Sequence, residues 1–270
     1  MALTVTSNIP SLNAQRNVNR SQSGLNKSLE RLSSGYRINR AADDAAGLAI
    51  SEKLRGNIRG MEQASRNTSD GISLIQTAEG AMDEISSMVV RMKELSEQAA
   101  TGTVGTSERG YLNTEFQALR TEITRIADNT KFNDTSLLNG SLSKTVQVGI
   151  TASEKITIAT GDVDATALAL ASSISTATKA QAALTTSSTA IGTVAGRRSS
   201  LGALQNRFES VISSIDNQVE NLSAAESRIR DVDIASETAN LTKFSIMVQA
   251  GVSILAQANQ SPMAALALMG

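Results

Sequence analysis

LGALQNRFESVISSIDNQVENLSAAESRIRDV, residues 201–232, repeats a core-type position every third or fourth residue: Leu201, Leu204, Phe208, Val211, Ile215, Gln218, Leu222, Ala225, Ile229 and Val232. Steps of three and four without a miss place all of them on one side of a helix. One greasy stripe on a long helix is marginal in water and needs a partner. A second stripe supplies it: Met61, Ala64, Thr68, Gly71, Ile75, Ala78, Met82, Ile85, Val89, Met92, Ser96 and Ala99 hold a heptad register over residues 61–99, one helix about 58 Å long. Each well-buried Leu, Ile or Val contributes about 1.5–3 kcal/mol, so the two stripes are predicted to lie side by side. Small residues along the second seam favour close packing, with weak points at Thr68 and Ser96. The sequence separation of the stripes predicts a hairpin-like molecule, with both termini at one end.

Outward from these helices the chain changes character. TGTVGTSERG, residues 101–110, carries Gly102, Gly105 and Gly110 and reads as a turn. Leu112, Phe116, Leu119, Ile123 and Ile126 then form a shorter amphipathic helix folding back. Between about 130 and 160 the period becomes two: Val146 and Val148, then Ile156 and Ile158, flank a turn and predict one or two β-hairpins. Residues 160–190, rich in Ala, Ser and Thr, read as a loop entering a helix near Ile174, or as a low-complexity linker. Both ends of the chain carry further stripes. Val18, Leu25, Leu29, Leu32 and Tyr36 face one side of a helix opening near Pro10 and Ser11, with a break or spoke over 33–45. Leu241, Phe244, Val248, Gly251, Leu255 and Ala258 face one side of another. Their obvious partners are each other and neighbouring copies, so Leu25, Leu29, Leu32, Leu241, Phe244, Val248 and Leu255 are the predicted self-assembly residues.

Composition excludes much else. The chain has 270 residues, only 2% of them aromatic and 40% hydrophobic, a mixture suited to thin helical layers. Its two prolines, Pro10 and Pro262, leave the helices between them unbroken. Histidine and cysteine are both absent, which removes the side chain that titrates near neutrality, the thiolate nucleophile, the usual zinc ligands and any disulfide. No catalytic, cofactor or metal site is expected. The Asp43/Asp44 and Asp231/Asp233 pairs, with arginines nearby, read as helix-end or ion-pair carboxylates. Acidic and basic residues number 26 and 25 and are interspersed, which leaves no basic stripe for nucleic acid. No run approaches the length of a membrane span or a secretory signal, so no membrane insertion is expected. The glycosylation-type triplets at Asn67, Asn221 and Asn240 fall on helical segments and carry little weight.

Four strings, LNKSLERLSSGYRINRAADDAAGLAIS (25–51), NTKFNDTSLLNG (129–140), LGALQNRFES (201–210) and SILAQANQSP (253–262), closely resemble bacterial flagellin in content and order. The resemblance covers about residues 1–160 and 174–270 and omits the outer domains that larger flagellins insert. It implies a mainly α fold, an elongated antiparallel helical bundle or coiled coil with one or two small β-hairpins, whose terminal helices are disordered in the monomer. The implied segments are 1–44, a filament-core helix and spoke; 45–173, the first part of a tube domain; 174–234, its C-terminal long helix; and 235–270, a second filament-core helix.

The resemblance also implies a structural subunit of an extracellular flagellar filament, exported without a cleavable signal peptide through a type III apparatus. Implied partners are further copies of the chain, an export chaperone, a filament cap protein and hook-associated proteins. Arg31, Asp43 and Asp44 near the spoke become candidates for ion pairs between subunits. Recognition of the monomer by Toll-like receptor 5 of a host is implied through Glu84, Arg91, Leu95, Gln98 and Glu115, with Arg91 and Leu95 expected as an exposed anchor pair. The local string VRMKELSEQ departs from the commoner QRVRELAVQ at Val90, Met92, Lys93, Ser96 and Glu97. The alternatives are a hook-associated junction protein, which shares terminal patterns, and a secreted membrane-acting type III translocator. The terminal stripes lack Trp and a Lys-rich face, which disfavours the translocator.

Overall fold

The computed structural model describes residues 8–267, with side chains through residue 260. The described residues form five helices and two small hairpins: α1 (Ile9–Ser34), α2 (Ala45–Ala100), α3 (Thr106–Asn129), β1 (Lys131–Phe132), β2 (Thr135–Ser136), β3 (Ser143–Gln147), β4 (Lys155–Ala159), α4 (Ala177–Arg230) and α5 (Ile234–Ala267). They group into two compact units, Met1–Gly56 with Asn221–Gly270, and Asn57–Glu220. The unit boundaries therefore fall inside α2 and α4.

In the unit of residues 57–220 the core follows the α2 register. Ala64, Thr68, Gly71, Ile75, Ala78, Met82, Ile85, Val89, Met92, Ser96 and Ala99 are all buried. The two polar positions cost little, because the Thr68 and Ser96 hydroxyls each donate to a carbonyl one turn back, Ala64 and Met92, at 2.7 Å. Opposite them α4 buries Leu201 and Phe208, and earlier a run of small residues, Ala180, Ala183, Ser187, Ala190 and Val194. Arg198 of α4 reaches α2 at Asp83, 2.6 Å, and Glu79, 3.6 Å. Phe116, Ile123 and Ala127 of α3 complete the layer.

The α2–α3 turn is shorter than expected. It spans 101–105, and Gly110 lies inside α3. Arg109 braces the tight turn by donating to the carbonyl of Ala99, 2.8 Å, at the end of α2, and to that of Thr101, 2.9 Å, which also accepts from the Val104 amide. Two hairpins follow. At the first, Asn133 and Asp134 take positive φ values of 46° and 59°, the turn whose twist suits a two-residue hairpin. The second pairs Val146 with Ile156 and Lys144 with Ile158; β4 buries Ile156 and Ile158 and turns alternate residues to solvent. The Ala- and Ser-rich stretch is no free linker. Val163, Ala165, Leu168, Leu170 and Ile174 are buried in the core cluster before α4 begins at Ala177.

Candidate assembly interface

The terminal unit is built on α1 and α5, which run antiparallel. Asn8 opens α1, accepting from the Ser11 amide at 3.1 Å with Pro10 in the first turn, and Gly35 closes it in the left-handed conformation at φ 76°. Along the seam Asn8 Nδ2 donates to the Ala258 carbonyl at 2.7 Å, and Ser11 Oγ donates to Asn259 Oδ1 at 2.6 Å. Val18 fills the space over Gly251, and Phe244 lies over Gly24. Closer to the spoke, Ser28 Oγ donates to Glu237 Oε1 at 2.5 Å, and Arg31 Nη1 stands 3.6 Å from the other oxygen of that carboxylate. Ser28 and Glu237 are 2% and 7% exposed, which makes theirs a buried polar contact within the seam.

Leu25, Leu32, Leu241, Phe244, Val248 and Leu255 all sit half-buried on these helices. Leu29 does not: it is 49% exposed, because Ser28 holds the inward position at that turn to meet Glu237. The seam leaves much apolar surface uncovered. Ile9 and Leu12 on α1, and Ile246, Met247, Val252 and Ile254 on α5, are exposed. In α5 these residues lie away from the centre of the Phe244–Val248–Leu255 face, so the helix carries apolar surface beyond what α1 covers. A helix of that kind is stable when surrounded by protein.

At the spoke the Tyr36 and Asp231 backbones form an antiparallel bridge, flanked by Arg37 N donating to Arg230 O at 2.6 Å and Val232 N to Gly35 O at 3.0 Å. The Arg230 guanidinium lies 4.4 Å from the Tyr36 ring centre and 3.0 Å from Glu52. Arg31, Asp43 and Asp44 are not brought together. Arg31 faces Glu237, Asp43 pairs with Lys27 at 2.6 Å, and Asp44 accepts from the Gly47 amide at 2.9 Å as a helix cap. Each of the three therefore has a partner within its own chain, and any ion pair between subunits is made in addition to these or by exchanging them.

The Lys27 ammonium, with the Arg40 and Asn39 amides, holds the Asp43 carboxyl below its ordinary value. A depressed folded value stabilises above the unfolded carboxylate value of about 3.9, and that contribution is lost as pH falls through the folded one. Asp43→Asn is therefore expected to melt at lower temperature than the parent at pH 7, with the gap closing as pH falls below about 4. Thermal melts from pH 7 down to 3 check this, and a gap constant across the range refutes it.

A second predicted cluster lies on α2 and α3. Arg91 Nε donates to Glu115 at 2.9 Å and its Nη1 to Glu94 at 3.0 Å, and these bonds raise the guanidinium value further. Glu84, Arg91, Gln98 and Glu115 are exposed. Leu95 is not. At 1% exposure it belongs to the core, which corrects its expected place beside Arg91 as a surface anchor: α2 is packed on two sides, and its buried stripe is wide enough to take Leu95 as well as Ser96. The buried partners Ser28 and Glu237 escaped the sequence reading, since nothing local marks two polar residues 209 positions apart as a pair.

Among the described residues no helix is long and apolar enough to cross a membrane, and no group of three or more potential ligands is placed to hold a metal. Comparison with known proteins is consistent across the chain. Residues 5–143 match the profile of the bacterial flagellin N-terminal helical region, and residues 184–269 that of the bacterial flagellin C-terminal helical region. The flagellin of Halalkalibacterium halodurans is 49% identical over 271 residues, covering 99% of this chain and 100% of that one. The flagellin of Bacillus subtilis is 39% identical, covering 99% of this chain and 100% of the relative. Among solved structures, Bacillus cereus flagellin superposes with a TM-score of 0.53 at 28% identity, covering 60% of this chain and 94% of that one.

Proposed function

We propose a function on one premise: this chain belongs to the bacterial flagellin family. Members are structural, not enzymatic, and the chain is a subunit of the extracellular flagellar filament that serves motility. In our reading residues 1–44 and 235–270 form the filament core, while 45–173 and 174–234 form the surrounding tube, and the terminal helices settle into their paired form only on assembly. The observation that carries this is α5, which leaves Ile246, Met247, Val252 and Ile254 exposed beyond the face that α1 covers. Ordering the ends costs roughly 1–2 kcal/mol per residue in backbone entropy; contacts between copies, repeated around an open helix, offset it. Protein depolymerised by heat and seeded with filament fragments is expected to elongate, whereas a chain lacking residues 1–40 and 236–270 stays folded and does not. Elongation by the trimmed chain overturns the assignment.

The finer partners follow from the same premise. Export proceeds without a cleavable signal peptide, with an export chaperone held on the C-terminal helix, a cap protein at the growing tip and hook-associated proteins at the base. Toll-like receptor 5 reads the α2–α3 surface of the free monomer through Arg91, Glu115, Gln98 and Glu84, with Leu95 removed from the contact set because it is buried. A rigid Arg held by Glu115 and Glu94 is preorganised for such an anchor. Arg91→Glu is expected to lower receptor activation by monomer about tenfold or more in a reporter-cell titration; undiminished activation removes the proposal.

A further inference from the structure

We infer that the Ser28–Arg31–Glu237 cluster limits the strength of the α1·α5 pairing and so keeps the terminal helices separable in the free chain. This inference rests on the reading that the ends pair fully only on assembly.

The Ser28 and Glu237 side chains are buried, the Arg31 side chain is 25% exposed with its Nε enclosed, and the charges are incompletely matched. Glu237 is 7% exposed and Ser28 2%. One carboxylate oxygen takes a short hydrogen bond from Ser28, at 2.5 Å, but the other has only the Arg31 guanidinium at 3.6 Å, beyond hydrogen-bond range. Arg31 Nε is itself buried without a partner. Taking a carboxylate out of water and a guanidinium partly out of it is costly, and only good geometry with every donor used repays that cost. Here one donor is idle and one contact long. Apolar residues of similar volume in such a place commonly leave a fold as stable or more stable, whereas removal of one partner alone strands the other charge.

The rest of the seam is thin enough for this cluster to matter. Its close contacts are made by small residues against single larger ones, Gly24 with Phe244 and Val18 with Gly251, and Ala14 and Ser28 are the buried residues of α1. Register has another source, the backbone bridge between Tyr36 and Asp231 with its flanking hydrogen bonds. The buried charges are therefore not needed to align the helices. What they add is a cost that α1 and α5 must meet whenever they close on each other, and the uncovered apolar surface of α5 meets it when further copies surround the pair.

The test compares the full-length monomer with a Ser28→Ala/Arg31→Met/Glu237→Leu variant by hydrogen exchange, reading amides of α1 and α5 against those of the buried α4 segment around Phe208. Protection at the ends is expected to rise about tenfold or more in the variant, with α4 unchanged. A control with Gln22→Leu, Asn26→Leu and Lys243→Leu, all exposed positions, is expected to leave end protection at the parent level. A triple variant whose ends exchange as fast as the parent's, or faster, overturns the inference, since a cluster that merely stabilises would lose protection when dismantled. An equal rise in the control also overturns it, because added greasiness would then be the cause. Parent ends already as protected as α4 would instead sink the reading that the ends pair only on assembly.

Discussion

Phe208→Ala is expected to destabilise the unit of residues 57–220 by about 3–5 kcal/mol, the range for truncating a buried ring. Phe208 is completely buried. Its ring tip lies 3.4 Å from where a side chain on Gly71 would begin, so it fills a space that α2 leaves open at a glycine. The chain contains four phenylalanines, and in this core Phe208 and Phe116 stand among Ala, Val, Met and Ile. Where in that range the loss falls is set by how far the surrounding side chains close the void. For a unit of this size each kcal/mol lowers the midpoint by about 2–4 °C, so a fall on the order of 10 °C is expected in far-ultraviolet melts. Gly71→Val in the Phe208→Ala background refills part of the space and is expected to recover part of the loss. A midpoint within about 2 °C of the parent's shows that the helices repack without the ring.

The same residues show what periodicity can and cannot disclose. The α2 stripe from Ala64 to Ala99 is buried position for position as its heptad register requires, because a helix between two neighbours has no other way to hide those residues. The onset of α4 was legible near Ile174, against Ala177 in the structure. Its first half packs through Ala180, Ala183, Ser187 and Ala190, whose spacing is helical but whose side chains are too small to mark a stripe by hydropathy. Leu95 is buried where an exposed anchor was expected, and Leu29, expected to pair with the other terminal helix or a neighbouring copy, is 49% exposed in the single chain. A two-helix picture left Leu95 on the flank of the seam, but α2 is contacted along a wider arc. Leu29 is more apolar than Ser28, yet Ser28 turns inward because Glu237 on the other side of the seam needs a donor. Burial of a polar group is decided by its partner, and the partner is distant in sequence. Residues 160–176 form the expected loop before the helix, but their burial was illegible for a related reason: Val163, Leu168 and Ile174 are spaced too irregularly to look like an element, and their burial depends on a core built elsewhere.

Gly24→Leu is expected to abolish filament growth while leaving residues 57–220 folded. A Cβ at position 24 would stand 2.6 Å from Phe244 Cε1, 2.7 Å from Cζ and 2.9 Å from Cδ1, so the ring has to leave its seat. For alanine the outcome is nearly balanced. Overpacking costs typically 1–3 kcal/mol, and replacing a mid-helix glycine returns about 1 kcal/mol of helix propensity. Leucine removes the balance, since its branched end must occupy the volume the ring now fills. The seam then opens at its middle, between the Val18–Gly251 contact and the Ser28–Glu237 hydrogen bond. Because every added subunit must close this seam, each loss of about 1.4 kcal/mol raises the concentration needed for growth tenfold, and two such steps put elongation beyond ordinary working concentrations. Seeded growth followed by light scattering and electron microscopy is the readout, with the midpoint of the Phe208 core as the folding control; the two sites belong to different compact units and are expected to act independently. The size-swapped pair, Gly24→Leu with Phe244→Ala, returns volume to the same place and is expected to restore growth in part. Filaments from Gly24→Leu at the parent's rate would mean that α1 and α5 do not meet through this face when subunits assemble.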